Sequence, residues 1–124
     1  MRCSVLIAAF VLTTLASAED KATALFDGKS LDGWNVLDRD KQWWTVAEGA
    51  IVGGSLTDTV TRNTFVASDE SFQNFDLKLK IRIQGTDGFI NSGVQIRSVR
   101  VPDSSEMSGY QVDAGDGWWG KIYD

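Results

Sequence analysis

The chain has 124 residues, with 12 Lys+Arg against 17 Asp+Glu and no His, for a formal charge of −5. That length allows one modest domain at most. Without His there is no Ser-His-Asp triad, no Cys-His dyad and no imidazole metal ligand, and the acidic balance argues against nucleic acid as a partner.

The N-terminus reads as a targeting segment. Arg2 stands in a short charged start, Val5 to Leu15 is an apolar run, and Ala16-Ser17-Ala18 supplies small residues for a signal peptidase. These features predict a signal peptide over residues 1–18, cleaved before Glu19. The run is too short to span a bilayer and no later stretch approaches that length, so no membrane span is expected once the signal is removed. The one cysteine, Cys3, lies inside the signal and precedes the apolar run, which does not suit a lipidation site. The domain expected over residues 19–124 therefore has no disulfide, no thiol nucleophile and no thiolate metal site. An acidic, cysteine-free exported chain belongs in a bacterial periplasm or outside the cell.

Five Trp, six Phe and two Tyr leave two explanations open, tight packing or the handling of flat, weakly apolar ligands such as sugars. In chain order, Trp43-Trp44-Thr45-Val46 and Ala50-Ile51-Val52 flank Ala47-Glu48-Gly49 and predict a hairpin with Gly in the turn. Thr64-Phe65-Val66 is a short strand candidate. The clearest segment runs from Phe75 to Gln84. There Phe75, Leu77, Leu79, Ile81 and Ile83 alternate with Asp76, Lys78, Lys80, Arg82 and Gln84, which predicts a strand with one core face and one wet face. Gly93 to Val99 puts Val94 and Ile96 on one side and Gln95 and Arg97 on the other. Tyr110 to Asp113 sets Tyr110 and Val112 against Gln111 and Asp113. Trp119 to Tyr123 starts another candidate strand. Asp27-Gly28, Asp32-Gly33, Gly53-Gly54, Asp87-Gly88 and Gly115-Asp116-Gly117 supply turns.

No helical apolar stripe follows Ala18. About seven short strands at regular spacing suggest an all-β sandwich, and short links imply antiparallel pairing. Sandwiches that bind sugars on a curved sheet usually need more strands. Ile122-Tyr123-Asp124 also falls in mid-strand on this reading. The sequence is thus expected to be the N-terminal part of a longer protein, with an incomplete domain.

Four stretches, in order, carry a resemblance. They are Leu25-Phe26-Asp27-Gly28-Lys29-Ser30-Leu31-Asp32-Gly33-Trp34, Trp44-Thr45-Val46-Ala47-Glu48-Gly49-Ala50-Ile51, Asn91-Ser92-Gly93-Val94-Gln95-Ile96-Arg97 and Ser108-Gly109-Tyr110-Gln111-Val112-Asp113. Their order and spacing resemble the 3-keto-disaccharide hydrolase family, also described as 3-keto-glycoside 1,2-lyases and hydratases. The match covers essentially the whole chain after the signal. The resemblance implies a concanavalin-like jelly-roll sandwich of antiparallel strands, truncated here at its C-terminus. It also implies action on glycosides oxidised at C3, so the expected partner is a glycoside or oligosaccharide substrate.

That chemistry can be set against the residues. A C3 ketone acidifies the C2 proton; a base removes it, the C1 substituent leaves, and water adds to the resulting enone. The site needs a base, groups that polarise the C3 oxygen, and a surface for the ring. No His is required, and neither a metal ligand set nor a cofactor is expected from the residues. Parity puts Gln95 and Arg97 on one strand and Gln111 and Asp113 on the next, all away from the core. Asp113 is the candidate base and Arg97 the candidate donor to the enolate oxygen; their alternative is a cross-strand ion pair of little consequence. Gln95, Gln111 and Asn91 are candidate substrate contacts, although an Asx turn is the plainer use of Asn91. Trp118 and Trp119 could stack on a pyranose, with core and edge packing as the alternative. Lys121 and Tyr123 share the parity that projects toward Asp113. Asp38, Asp40, Asp58, Asp69 and Glu70 read as solvated loop acids with no metal-ligand spacing. Glu-x-Asp-x-x-Glu, the two-acid strand of sandwich endoglucanases, is absent, which disfavours an ordinary glycosidase route. A non-catalytic carbohydrate-binding module and an inactive fragment of the enzyme are the competing readings.

Overall fold

The computed structural model describes residues 22–85 and 88–124. The expected signal peptide over residues 1–18, its cleavage before Glu19, and Asp87 of the Asp87-Gly88 turn lie outside the described residues. Seven strands follow one another: β1 (Trp34–Val36), β2 (Trp44–Ala47), β3 (Ala50–Gly53), β4 (Val66–Ser68), β5 (Asn91–Arg100), β6 (Met107–Gly115) and β7 (Ile122–Tyr123). A 3₁₀ helix, Asp38–Trp43, links β1 to β2. Every pairing is antiparallel: β1 with β4, β2 with β3, and β5-β6-β7 as a three-stranded sheet. The described residues form antiparallel strands with almost no helix, consistent with an all-β sandwich.

The first motif is a structural clamp. Oδ1 of Asp27 accepts the backbone N–H groups of Lys29 at 2.8 Å and Ser30 at 3.0 Å, an Asx turn. The Trp34 indole then donates to the Leu25 carbonyl at 3.1 Å and ties the start of β1 back over that turn. Next, β2 and β3 form the predicted hairpin, with Ala47 opposite Ala50. Glu48 and Gly49 both take positive φ, 51° and 74°, the backbone of a two-residue turn whose twist matches the strands. Glycine reaches that conformation without steric cost and Glu48 does not.

Asp40 overturns the expectation of a solvated loop acid. It is 1% exposed, and Arg62 donates to its Oδ1 from Nε at 3.1 Å and from Nη2 at 2.7 Å. The same Nη2 also reaches the Arg39 carbonyl at 3.1 Å. Burial of a carboxylate is tolerated here because the guanidinium supplies charge and donors together. The partner lies 22 residues away in sequence, so no local pattern announced it.

Phe75–Gln84 is also corrected. It forms no strand, and among the described residues no strand pairs with it. Phe75, Leu77, Leu79 and Ile81 are exposed. Alternation defines two faces but supplies neither a neighbour for the backbone groups nor a surface for the apolar face. Its polar face, Lys78, Lys80 and Arg82, is exposed as expected. Ala114 is the buried apolar side chain among the described residues, and it lies opposite Ser92 in the β5–β6 pair. The apolar face carrying Val94, Ile96 and Val112 is half-buried.

Candidate functional site

The residues expected to form a site gather on the β5-β6-β7 sheet. Gln95 lies opposite Gln111, and Gln111 opposite Tyr123, so the three form one row across three strands. The next row holds Gly93 opposite Asp113. Asp113 is closed on its other side by backbone bonds, its N–H to the Lys121 carbonyl at 2.8 Å and its carbonyl from the Gly120 N–H at 2.9 Å. Asn91 faces Gly115 one row further on. In an antiparallel pair directly opposed residues share a face, so Asn91, Gln95, Gln111, Asp113 and Tyr123 share one. Val94, Ile96, Tyr110, Val112 and Ile122 take the other.

Side-chain bonds join the polar residues. The Gln111 Nε2 donates to Oδ1 of Asp113 at 2.8 Å, and the Gln95 Nε2 donates to Oε1 of Gln111 at 3.4 Å. All three residues are half-buried. Oε1 of Gln95 is buried and finds no partner among the described residues, which costs about 1–3 kcal/mol for a neutral acceptor. Gly93 makes the row possible. A Cβ at that position would lie 2.7 Å from Cγ and 2.8 Å from Cδ of Gln111. Glycine there lets the Gln111 side chain lean across the neighbouring strand toward Asp113.

Arg97 is placed differently from its parity. The β5–β6 register shifts between Ile96 and Val99, and Arg97 takes a φ of 52° at this bulge. Alternation therefore breaks at the residue whose direction it was meant to give. The side chain is exposed, and its Nη2 donates to the Gln73 carbonyl at 3.3 Å. Among the described residues no ion pair joins Arg97 to Asp113, so the cross-strand pair is not formed. A non-glycine residue with left-handed φ beside a bulge is a strained position of the kind found at functional sites.

Trp118 and Trp119 lie in the turn between β6 and β7, not in a strand, and both are exposed, at 42% and 56%. The expected strand from Trp119 shrinks to Ile122–Tyr123 because the Gly-rich turn consumes residues 116–120. Phe89, which composition and spacing did not single out, packs against Trp118 with ring centroids 6.3 Å apart. Nζ of Lys121 lies 5.9 Å from the centroid of the Trp118 ring, at the outer reach of a cation–π contact. A Cβ on Gly115 would meet Cδ1 of Trp118 at 2.9 Å and Oδ1 of Asn91 at 3.3 Å, so these two side chains converge beside the end of β6. The hairpin thus sets an aromatic corner one row from Asp113. Among the described residues, no cluster of three or more His, Cys, Asp or Glu could hold a metal ion, and no helix is long and apolar enough to cross a membrane.

The fold and site define a broad class, all-β antiparallel domains with amides and a carboxylate in rows on one sheet and exposed indoles at its hairpin, and that class serves many functions. Within that class the relationship is specific. The family model described as a 3-keto-alpha-glucoside-1,2-lyase-like domain matches residues 21–124, and the chain belongs to that family. No curated protein and no solved structure matches it.

Proposed function

We propose that this protein cleaves glycosides whose sugar carries a ketone at C3, by elimination followed by hydration. The observation that carries the reading is the family match over residues 21–124. In this reading Asp113 takes the C2 proton, and the electron pair left behind delocalises onto the C3 oxygen as an enolate. Arg97 donates to that oxygen from the bulge. Collapse of the enolate forms the C1–C2 double bond and expels the C1 substituent, which leaves as an alcohol once protonated. Water then adds its hydroxyl to C1 and a proton to C2 of the enone. The net change is hydrolysis, with no electrons gained or lost. Tyr123 and Asn91 contact the ring from the same face as Asp113, and Trp118, Trp119 and Lys121 border it at the hairpin.

A base is needed on one face of the ring and an oxyanion donor at C3. The half-buried carboxylate of Asp113 suits the base, and Arg97, exposed at the bulge, would exchange its bond to the Gln73 carbonyl for one to the C3 oxygen. Export to a periplasm or beyond the cell is part of the same proposal, on the strength of the apolar run Val5 to Leu15 and the small residues Ala16 to Ala18. The exposed Trp118 and Trp119 favour a second reading, a sugar-binding module without turnover.

The test is cleavage of a 3-keto-glucoside by the full-length protein and its variants. Asp113→Asn removes the base without changing shape, and Arg97→Lys keeps the charge but loses the planar fork. Each should lower turnover by about 100-fold or more, and the unoxidised glucoside should not react. Wild-type turnover in both variants would remove these residues from the site. Sugar binding without turnover of the ketone by the wild type would instead favour the binding module.

A further inference from the structure

We propose that Gln111 is a positioning residue for Asp113 and that Gln95 fixes the orientation of Gln111; the proposal rests on the role given to Asp113 above. An ionised Asp113 can only accept hydrogen bonds, so the end of Gln111 that meets it at 2.8 Å must be the NH₂ group. Oε1 of Gln111 then has to face Gln95. That oxygen is an acceptor too, so Gln95 must present its own NH₂ group, which it does at 3.4 Å. One carboxylate dictates the direction of both amides across two strands.

The cost of this arrangement is visible. Turning Gln95 round would bring its oxygen against that of Gln111, so the oxygen stays where it is, buried and without a partner among the described residues. The orientation that Asp113 imposes on Gln111 thus leaves Gln95 with a buried acceptor that no protein group of the described residues meets. Gly93 belongs to the same device, because any Cβ there would collide with the Gln111 side chain that spans the gap. The Nε2–H of Gln111 occupies Oδ1 of Asp113 and leaves Oδ2 to face a substrate. Gln111 thus acts through Asp113, and its amide is engaged within the sheet, not held in reserve for a sugar hydroxyl.

Gln111→Met keeps the length of the side chain and removes the donor. For the 3-keto-glucoside it should lower kcat by about 10- to 100-fold, the effect of a misplaced reacting group, with KM changed less than about threefold. Added to Asp113→Asn it should lower kcat no further, because the group it positions is already gone. Gln95→Leu removes the unpartnered oxygen, so its melting temperature should equal or exceed that of the wild type while kcat falls. A structural role for Gln95 requires the opposite shift in melting temperature. A raised KM with unchanged kcat for Gln111→Met, or additive losses in the double variant, overturns the proposal. A further arm needs no turnover and no change at Gln111. In the folded Asp113→Ala protein the side-chain amide protons of Gln111, read by NMR, should exchange with water at least about tenfold faster than in the wild type. Unchanged exchange overturns the positioning even if the protein has no activity on the ketone. Absence of turnover with the faster exchange would discard the proposed reaction and keep the hydrogen-bonded relay.

Discussion

Val94 and Ile96 alternate with Gln95 much as Leu77 and Leu79 alternate with Lys78, yet one segment is a strand and the other is not. The difference lies in the partners. β5 and β6 are close in sequence, and their connection is fastened both within itself and from outside. The Val101 N–H donates to the Glu106 carbonyl at 3.0 Å, and Arg39 reaches the Ser104 carbonyl. Asn63 holds the Glu106 carboxylate at 3.0 Å. β7 is folded back on β6 by a tight glycine turn. Among the described residues Phe75–Gln84 has no such neighbour, and Phe75, Leu77, Leu79 and Ile81 are left exposed. A period of two states which face a residue would take. A strand exists only when a second chain segment closes the hydrogen bonds.

Hydrogen exchange should expose this contrast most strongly. The amides that pair β5 with β6, in Val94–Ile96 and Tyr110–Val112, should be protected by a factor of about 10³ or more, since they open only with the sheet. Those of Phe75–Gln84 should exchange within about tenfold of unstructured peptide rates. Equal protection in the two segments would mean that Phe75–Gln84 is paired in solution and that the comparison fails.

Truncation of apolar side chains gives a smaller measure of the same difference. Val112 is half-buried on the apolar face of β6, and Val112→Ala should cost about 1 kcal/mol for the two methyl groups it loses. Leu79 is 50% exposed, and Leu79→Ala should cost less than about 0.5 kcal/mol, as substitutions on open surface do. Paired denaturant melts decide the matter. A larger loss at Leu79 than at Val112 would place Leu79 in a packed face.

The contrast also separates what could be read in the sequence from what could not. Opposition of Gln95 and Gln111 was legible, because parity and a short link between two patterned segments leave few registers. The hairpin at Glu48-Gly49 was legible from its turn chemistry. The direction of Arg97 was not, because a bulge inserts a residue and cancels parity from that point on. Burial of Asp40 depends on Arg62, and the aromatic corner depends on Phe89 meeting Trp118 across the sheet edge; both are contacts between distant positions that no local period encodes. β1 was missed because three residues are too few for any pattern. Phe75–Gln84 is the converse case, a strong pattern with no strand partner among the described residues.

The smallest expected effect concerns the Asp27 turn, which is held by a side chain instead of by a strand partner. The backbone N–H of Ser30, and then that of Lys29, stabilise the carboxylate and hold its pKa below the ordinary 3.8, against a minor opposing contribution from desolvation. A depressed folded value means that the ionised form favours the folded turn. That contribution is present above pH 3.8, where the unfolded chain is also ionised, and is lost as pH falls through the lower folded value. Asp27 is exposed, so the loss should loosen the turn without unfolding the sheet. An NMR titration should show the Lys29 and Ser30 amide signals moving together with a midpoint below 3.8, while the amides of β5 and β6 stay fixed. Asp27→Asn should abolish the titration yet keep the turn, because its side-chain oxygen still accepts from the two N–H groups. A midpoint at or above 3.8 would show that these bonds do not favour the charged form. The clamp on β1 would then depend on the Trp34 indole alone.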